Sequence, residues 1–230
     1  GIAGVNFHNI EYCVNEASVS SSYTEKLGGI TSENNGSISY CANKGTITNN
    51  GTSGENNGGI TGSNFGTVSD CYNQASVTGS GRVGGIVGYF SRGTVANCYD
   101  IADVTSKASV DEHAAVTGAI AGYNGSGNIT NCYYLDAVKL QNEGQSTLLM
   151  GVGDGQGEGD CNGRTSAEFG NGSITRLLNG GGGFEEKPAG AWGQMLGTDA
   201  YPVFMAEGNT NAVYNAQTYK GSSAVAAEGL

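Results

Sequence analysis

Apolar residues in this chain stand singly or in pairs between Gly, Asn, Ser and Thr, and their spacing recurs. Five segments share one register: Ile10-Glu11-Tyr12-Cys13, Ile38-Ser39-Tyr40-Cys41, Val68-Ser69-Asp70-Cys71, Val95-Ala96-Asn97-Cys98 and Ile129-Thr130-Asn131-Cys132. Their cysteines are 28, 30, 27 and 34 residues apart. Two places beyond each Cys stand Asn15, Asn43, Asn73, Asp100 and Tyr134; six places beyond stand Val19, Ile47, Val77, Val104 and Val138. Eight or nine residues before each Ile or Val lies another Ile: Ile2, Ile30, Ile60, Ile86 and Ile120. The last four follow Gly-Gly, or Gly-Ala at Ile120. Length varies between the Val column and the next Gly-Gly, which marks a loop.

Self-similarity at such a period signals a solenoid, a propeller or an array. Short β-branched runs cut by Gly and Asn favour strands, and a helical period is absent before about residue 165. Each repeat supplies three short strands, around Gly-Gly-Ile, Ile/Val-x-x-Cys and Ala-x-Val. The simplest fold is all-β: a parallel β-helix of about five coils, right-handed by the general preference of parallel connections. Its turns would stack ~4.8 Å apart, with Cys and Ile inside and Asn at a bend. A single turn of ~29 residues orders more backbone than its few buried side chains offset, so turns must stabilise one another. A propeller blade needs four strands in ~40–45 residues, and this period is shorter.

Composition narrows the function. The 230 residues carry a formal net charge of −11 with ten Lys plus Arg, which disfavours nucleic-acid phosphates as partners. No apolar run approaches the ~20 residues of a membrane-spanning helix. Gly at 41 with Pro at 2 describes a chain that turns often. The six cysteines would suggest disulfides in an extracellular-looking chain. Cys13, Cys41, Cys71, Cys98 and Cys132 share one column, however, and parallel stacked side chains hold their Cβ atoms too far apart for a bond. A ladder of small buried hydrophobes is expected, with Asn15, Asn43 and Asn73 as a second ladder and Cys161 as a lone thiol.

The motif resembles the GLUG repeat of bacterial surface proteins. Gly84-Gly85-Ile86-Val87-Gly88 with Gly93-Thr94-Val95-Ala96-Asn97-Cys98-Tyr99-Asp100 follows that pattern almost throughout, and residues 28–47 and 58–77 follow it closely. The resemblance covers about residues 1–138. Departures are Ala17, Ala75 and Ala102, where the family often has Gly, and Tyr134 in the Asn column. The resemblance implies secretion or surface display, in adhesin-like proteins or beside the catalytic domains of immunoglobulin A-cleaving peptidases.

Residues 1–138 are therefore expected to form the solenoid. The chain opens within a turn at Gly1-Ile2-Ala3-Gly4, which predicts a longer array or a partner covering that turn. Gly151 to Gly159 reads as a loop. Residues 139–205 read as a C-terminal cap with one helix over 165–179, N-capped by Thr165 or Ser166 with Glu168 in its first turn. Trp192, Tyr201 and Phe204 would pack that cap on the last turn. Residues 206–230 read as a short strand at Ala212–Tyr214 and a loose tail.

Candidate chemistry is thin. Tyr72, Tyr99 and Tyr133 follow their cysteines and should point outward as an aromatic strip, suited to sugar rings or protein, or simply to cross-turn stacking. Asp154, Glu158 and Asp160 in a Gly-rich loop are the calcium candidates, with a solvated acidic loop as the plainer reading. Asp70, Asp100, Asp103 and Asp136 fall at differing repeat positions, short of the paired carboxylates of a glycosidase. Arg82 and Arg92 read as isolated cations, and His8 and His113 as ordinary surface residues. The expectation is a non-catalytic structural or binding module, an adhesin stalk or scaffold, of a secreted or cell-surface bacterial protein. Its partners would be a glycan, a host or cell-surface protein, or further repeats and domains of the same parent chain. The alternatives are a β-helical carbohydrate-active hydrolase or lyase and an accessory domain of a larger surface peptidase.

Overall fold

The computed structural model describes residues 1–51, 55–110, 114–157, 159–181 and 192–204. The expected strand at 212–214 and the tail lie outside the described residues. Two compact units are present: residues 1–134 with 138–163, and residues 135–137 with 164–230.

The first unit is a parallel β-solenoid. Each full turn carries five short strands rather than the expected three. In the second turn these are Lys26–Gly28, Thr31–Asn34, Ser37–Ser39, Ala42–Asn43 and Ile47–Asn49. We call the ladders they begin faces 1 to 5. Every face is built by stacking the same repeat position on itself. Face 3, for example, pairs Ile10 with Ile38, Ile38 with Val68, Val68 with Val95 and Val95 with Ile129.

The extra strands arise from a sharp corner that propensity does not announce. The residue before each Cys is left-handed: Tyr12, Tyr40, Asp70, Asn97 and Asn131 have φ of 56, 53, 51, 52 and 51°. Asn and Asp tolerate that region, whereas Tyr is unusual there. The corner splits what reads as one segment into faces 3 and 4. A second break at Gly-Gly separates face 1 from face 2.

The stack runs further than the period suggests. Val152–Gly155 pairs in parallel with Ala121–Asn124, so the expected loop at 151–159 contains a sixth rung of face 2. Cys161–Arg164 likewise extends face 4 beside Cys132–Leu135. The solenoid does not end at Val138. Its last face-5 rung also slips: Val104 pairs with Leu140 rather than Val138, because residues 132–135 form a longer strand than their counterparts. Sequence similarity fades before pairing does, since backbone hydrogen bonds do not depend on side-chain identity.

The lumen is closed by Ile30, Ile60, Ile86, Ile120, Ile38, Val68, Val95, Ile47, Val77 and Val104, all 0% exposed. Burial of this kind contributes roughly 1.5–3 kcal/mol per side chain.

The second unit replaces the single expected helix by two. Helix α1 spans Ser166–Gly170 and helix α2 spans Ser173–Leu178. Thr165 caps α1 in a capping box with Glu168. Gly172, at φ 87°, breaks the run where a helix would need a right-handed residue. Trp192–Gly193 pairs antiparallel with Val203–Phe204. Gln194 ties the unit together, accepting from Thr175 Oγ1 at 2.7 Å and donating to the Phe169 carbonyl at 2.7 Å. Trp192 meets Phe204 with ring centroids 4.9 Å apart, and Phe169 meets Tyr201 at 5.8 Å.

Candidate functional site

Two amide ladders run inside the solenoid. Asn15 donates to Asn43, Asn43 to Asn73 and Asn73 to Asp100, each Nδ2 to Oδ1 at 2.7 Å. Each Asn also donates to the carbonyl two residues on, at Ala17, Gly45 and Ala75. A second ladder, which the Cys-based register does not reveal, lies four places after the Ile of Gly-Gly-Ile. There Asn6 donates to Asn34 at 2.8 Å and Asn34 to Asn64 at 2.7 Å, until Phe90 takes the position. Side-chain amides thus satisfy one another and the bends of the backbone, as buried polar groups must.

The first ladder explains the second Gly of Gly-Gly. A Cβ on Gly29, Gly59 or Gly85 would overlap the Cγ of Asn43, Asn73 or Asp100. In the fifth turn that Gly is Ala119, and there the ladder column holds Tyr134. Both departures from the repeat therefore fall in the same turn.

The cysteines occupy their own column. All six are unbonded, and Cys41, Cys71, Cys98 and Cys132 are fully buried while Cys13 is half-buried. Each thiol of the column approaches the carbonyl two residues before it, from 3.1 Å at Cys71 and Cys98 to 3.3 Å at Cys13 and Cys132. Burial pushes the Cys71, Cys98 and Cys132 thiols up, away from thiolate formation. Cys161, expected to stand apart, is buried as well.

Tyr72 and Tyr99 stack as expected, with ring centroids 5.1 Å apart and 1° between planes. The outward strip does not follow. Tyr72, Tyr99 and Tyr133 are 4, 0 and 4% exposed, so they offer no open ring face. Burial, with a smaller contribution from the Glu16 carboxylate, pushes the Tyr72 phenol up to about 12. Tyr133 donates to Asn131 Oδ1 at 2.5 Å, and Gln74 Nε2 donates to Tyr99 Oη at 3.4 Å. The stacked pair with an open ring is instead Tyr12 on Tyr40, at 4.8 Å, with Tyr12 70% exposed.

Of the acidic-loop candidates, Asp154 and Asp160 are described, and neighbouring donors engage both. Asp154 Oδ1 accepts from the Gly155 amide at 2.7 Å. Asp160 accepts from the Asn131 amide at 2.9 Å and from Asn162 Nδ2 at 2.8 Å. Glu158 lies outside the described residues. Among the described residues no three metal-ligating side chains come together.

Faces 1 and 2 carry a cluster that the repeat hides. Residues four places before the Ile and three places after it meet across the bend. In the second turn these are Lys26 and Glu33, bridged Nζ to Oε2 at 2.6 Å. In the fourth they are Arg82 and Tyr89, and in the fifth Tyr123 joins them. The Arg82 guanidinium lies 4.7 Å from the Tyr89 ring centre and 4.8 Å from that of Tyr123. Phe65 meets Tyr89 edge-on at 6.3 Å, and Arg92 lies over Phe65 at 5.5 Å. Arg82 and Arg92, isolated in sequence, are therefore both stacked on aromatic rings. The signal was present: Glu33, Ser63, Tyr89 and Tyr123 all stand third after an Ile.

A ladder-filled parallel β-solenoid with a half-exposed lateral strip of cations and aromatics is the class that fold and surface define. No family model matches the chain, and no curated protein matches it. Among solved structures, a crystal structure of a protein from Bacteroides ovatus, provisionally called an immunoglobulin A1 protease, is similar with a TM-score of 0.58. It is 20% identical and covers 86% of this chain, while this chain spans 57% of its length. At that identity the likeness shows a shared fold.

Proposed function

We propose that this chain is a non-catalytic structural and interaction module of a secreted or cell-surface bacterial protein, a scaffold that presents repeated lateral columns to a glycan or a surface protein. The observation that carries this reading is the turn-to-turn pairing of the polar interior. The amides of the Asn15 and Asn6 ladders are spent on neighbouring turns and local carbonyls. The lateral columns are what the solenoid turns toward a partner. The resemblance of residues 28–47, 58–77 and 84–104 to GLUG repeats supports surface display and the adhesive role. The test is a screen of the purified chain against arrayed glycans and extracellular-matrix proteins. Saturable binding to at least one is expected. Turnover of any arrayed glycan or peptide would overturn the non-catalytic reading, and absence of all binding would reduce the module to a spacer.

The similarity to the Bacteroides ovatus protein favours a second reading, an accessory domain beside a peptidase whose chemistry lies elsewhere. This chain spans only 57% of that structure. The domain order of the parent protein decides between the two.

A further inference from the structure

Both amide ladders run one way. Each Asn donates its Nδ2 to the oxygen of the following turn, Asn15 to Asn43 to Asn73 and Asn6 to Asn34 to Asn64. Because an amide donates from one atom and accepts on another, such a ladder has an accepting end and a donating end. The Asn15 ladder finishes on Asp100, whose Oδ1 accepts from Asn73 and whose Oδ2 accepts from the Ala102 amide. Beyond it the column holds Tyr134, so that end is closed.

The first-turn end is open. Asn15 spends its amide on Asn43 Oδ1 and the Ala17 carbonyl, while its own Oδ1 accepts nothing among the described residues. Inside the stack the same oxygen takes two donors: Asn73 Oδ1 accepts from Asn43 Nδ2 at 2.7 Å and from the Ala75 amide at 3.4 Å. Asn6 Oδ1 accepts only from the His8 amide, at 3.2 Å, where Asn64 Oδ1 accepts from the Gly66 amide and from Asn34 Nδ2. Neither oxygen lies beneath another rung. Strands Ala3–Asn6 and Val14–Asn15 are the outer members of their sheets and pair only with the second turn. Tyr12, stacked on Tyr40, stands open on the same edge.

We propose that this edge is a docking surface for one further turn of the same repeat, laid parallel on the first and carrying Asn in both ladder columns. What the edge lacks names the occupant. Two amide donors must arrive nine residues apart, the spacing of Asn6 and Asn15, of Asn34 and Asn43, and of Asn64 and Asn73. Backbone pairing of an added strand supplies affinity, and the ladder columns supply selection. A second copy related by a two-fold axis brings the same two acceptors, its amides already turned into its own stack. An apolar peptide covers Ile2, Val5 and Phe7 but buries both oxygens without a donor, which is unfavourable. This end-on contact is separate from the lateral role proposed above.

The experiment fuses a copy of residues 59–84 directly ahead of Gly1 of the full chain, so that Gly1 takes the place that Gly85 holds after Gly84. The added turn should raise Tm by about 4 °C or more. A crystal structure of the fusion should place Nδ2 of the added Asn73 about 2.9 Å from Asn15 Oδ1. Asn64→Leu with Asn73→Leu, made in the added copy alone, keeps the side-chain shape without the donors and should cancel most of the gain. An unchanged Tm overturns the docking surface. So does a gain that the paired Leu substitutions keep in full, or a fusion in which the added Asn73 turns away from Asn15. A closed two-fold dimer of the unfused chain, first turns back to back, would make a second copy the occupant and overturn it too. Each of these outcomes leaves the glycan and matrix-protein screen to be read on its own.

Discussion

Asp100 holds the place that Asn holds in the three turns before it. Its Oδ1 accepts from Asn73 Nδ2 at 2.7 Å and its Oδ2 from the Ala102 amide at 3.3 Å. It is fully buried, and burial raises its pKa well above the ordinary 3.8, outweighing the hydrogen bonds from Asn73 and Ala102 that act to lower it. The sign of the linkage follows. A carboxyl that is harder to ionise when folded favours the fold fully below its unfolded pKa. That contribution is lost as pH rises from about 4 toward the folded value. Asp100→Asn restores the donor that the other rungs direct at the carbonyl two residues on. The variant should gain about 1–3 kcal/mol at pH 7, the scale of an uncompensated buried polar group, and little at pH 3.5. Urea unfolding at both pH values checks this, and an equal gain at each would remove ionisation as the cause. Asp100 could be placed in the Asn column from sequence. Its burial could not, because an Asp at an outward bend would look the same.

At the level of elements, the Gly-Gly break and the ladder are one device. Gly59→Ala puts a methyl group onto the Cγ of Asn73 and onto the Gly85 carbonyl oxygen, and backbone cannot swing aside. Overpacking of this kind costs about 1–3 kcal/mol. Gly4→Ala, with nothing within 4 Å of the new methyl, should be close to neutral. Thermal unfolding of the pair makes the comparison, and equal Tm values would refute the close-approach account of the motif. The cysteine column predicts a second result. In the native state a thiol reagent should react quickly with Cys13 alone, and a reductant should leave Tm unchanged, since all six thiols are free. Release of five fast thiols without denaturant would contradict the burial. These elements were legible where one residue type recurs: the Ile/Val column before each Cys and the Asn column after it name faces 3 and 4 directly, Ile38 lying in one and Asn43 in the other. The five-strand turn was not, because the corner lies at Tyr12 and Tyr40 as well as at Asp70 and Asn97, and no residue preference announces a left-handed Tyr. The Arg82–Tyr89 cluster was hidden because its two columns change residue type from turn to turn.

Across the solenoid unit, one end face is unlike the interior. Strands Ala3–Asn6, Asn9–Glu11, Val14–Asn15 and Val19–Ser21 are each paired on one side only, with the second turn. Around them Ile2, Val5, Phe7, Tyr12, Val14 and Tyr23 are 49, 49, 69, 70, 44 and 93% exposed. The corresponding positions one turn on are far less open, Ile30 and Ala42, the counterparts of Ile2 and Val14, being sealed completely. The sequence repeats the motif faithfully at Ile2 and Ile10, so periodicity alone could not distinguish a covered turn from an open one. Unpaired strand edges beside apolar side chains template further strands, and a charge on the edge suppresses this. The isolated chain should therefore associate as its concentration rises and should enhance the fluorescence of a hydrophobic dye. Val5→Lys and Phe7→Lys should each lower both signals, while Leu148→Lys, equally open at 82% but away from this edge, should not. Light scattering over a concentration series reads the outcome. A chain that stays monomeric, or that responds alike to all three substitutions, would mean that the first turn is already protected by its own twist and polarity.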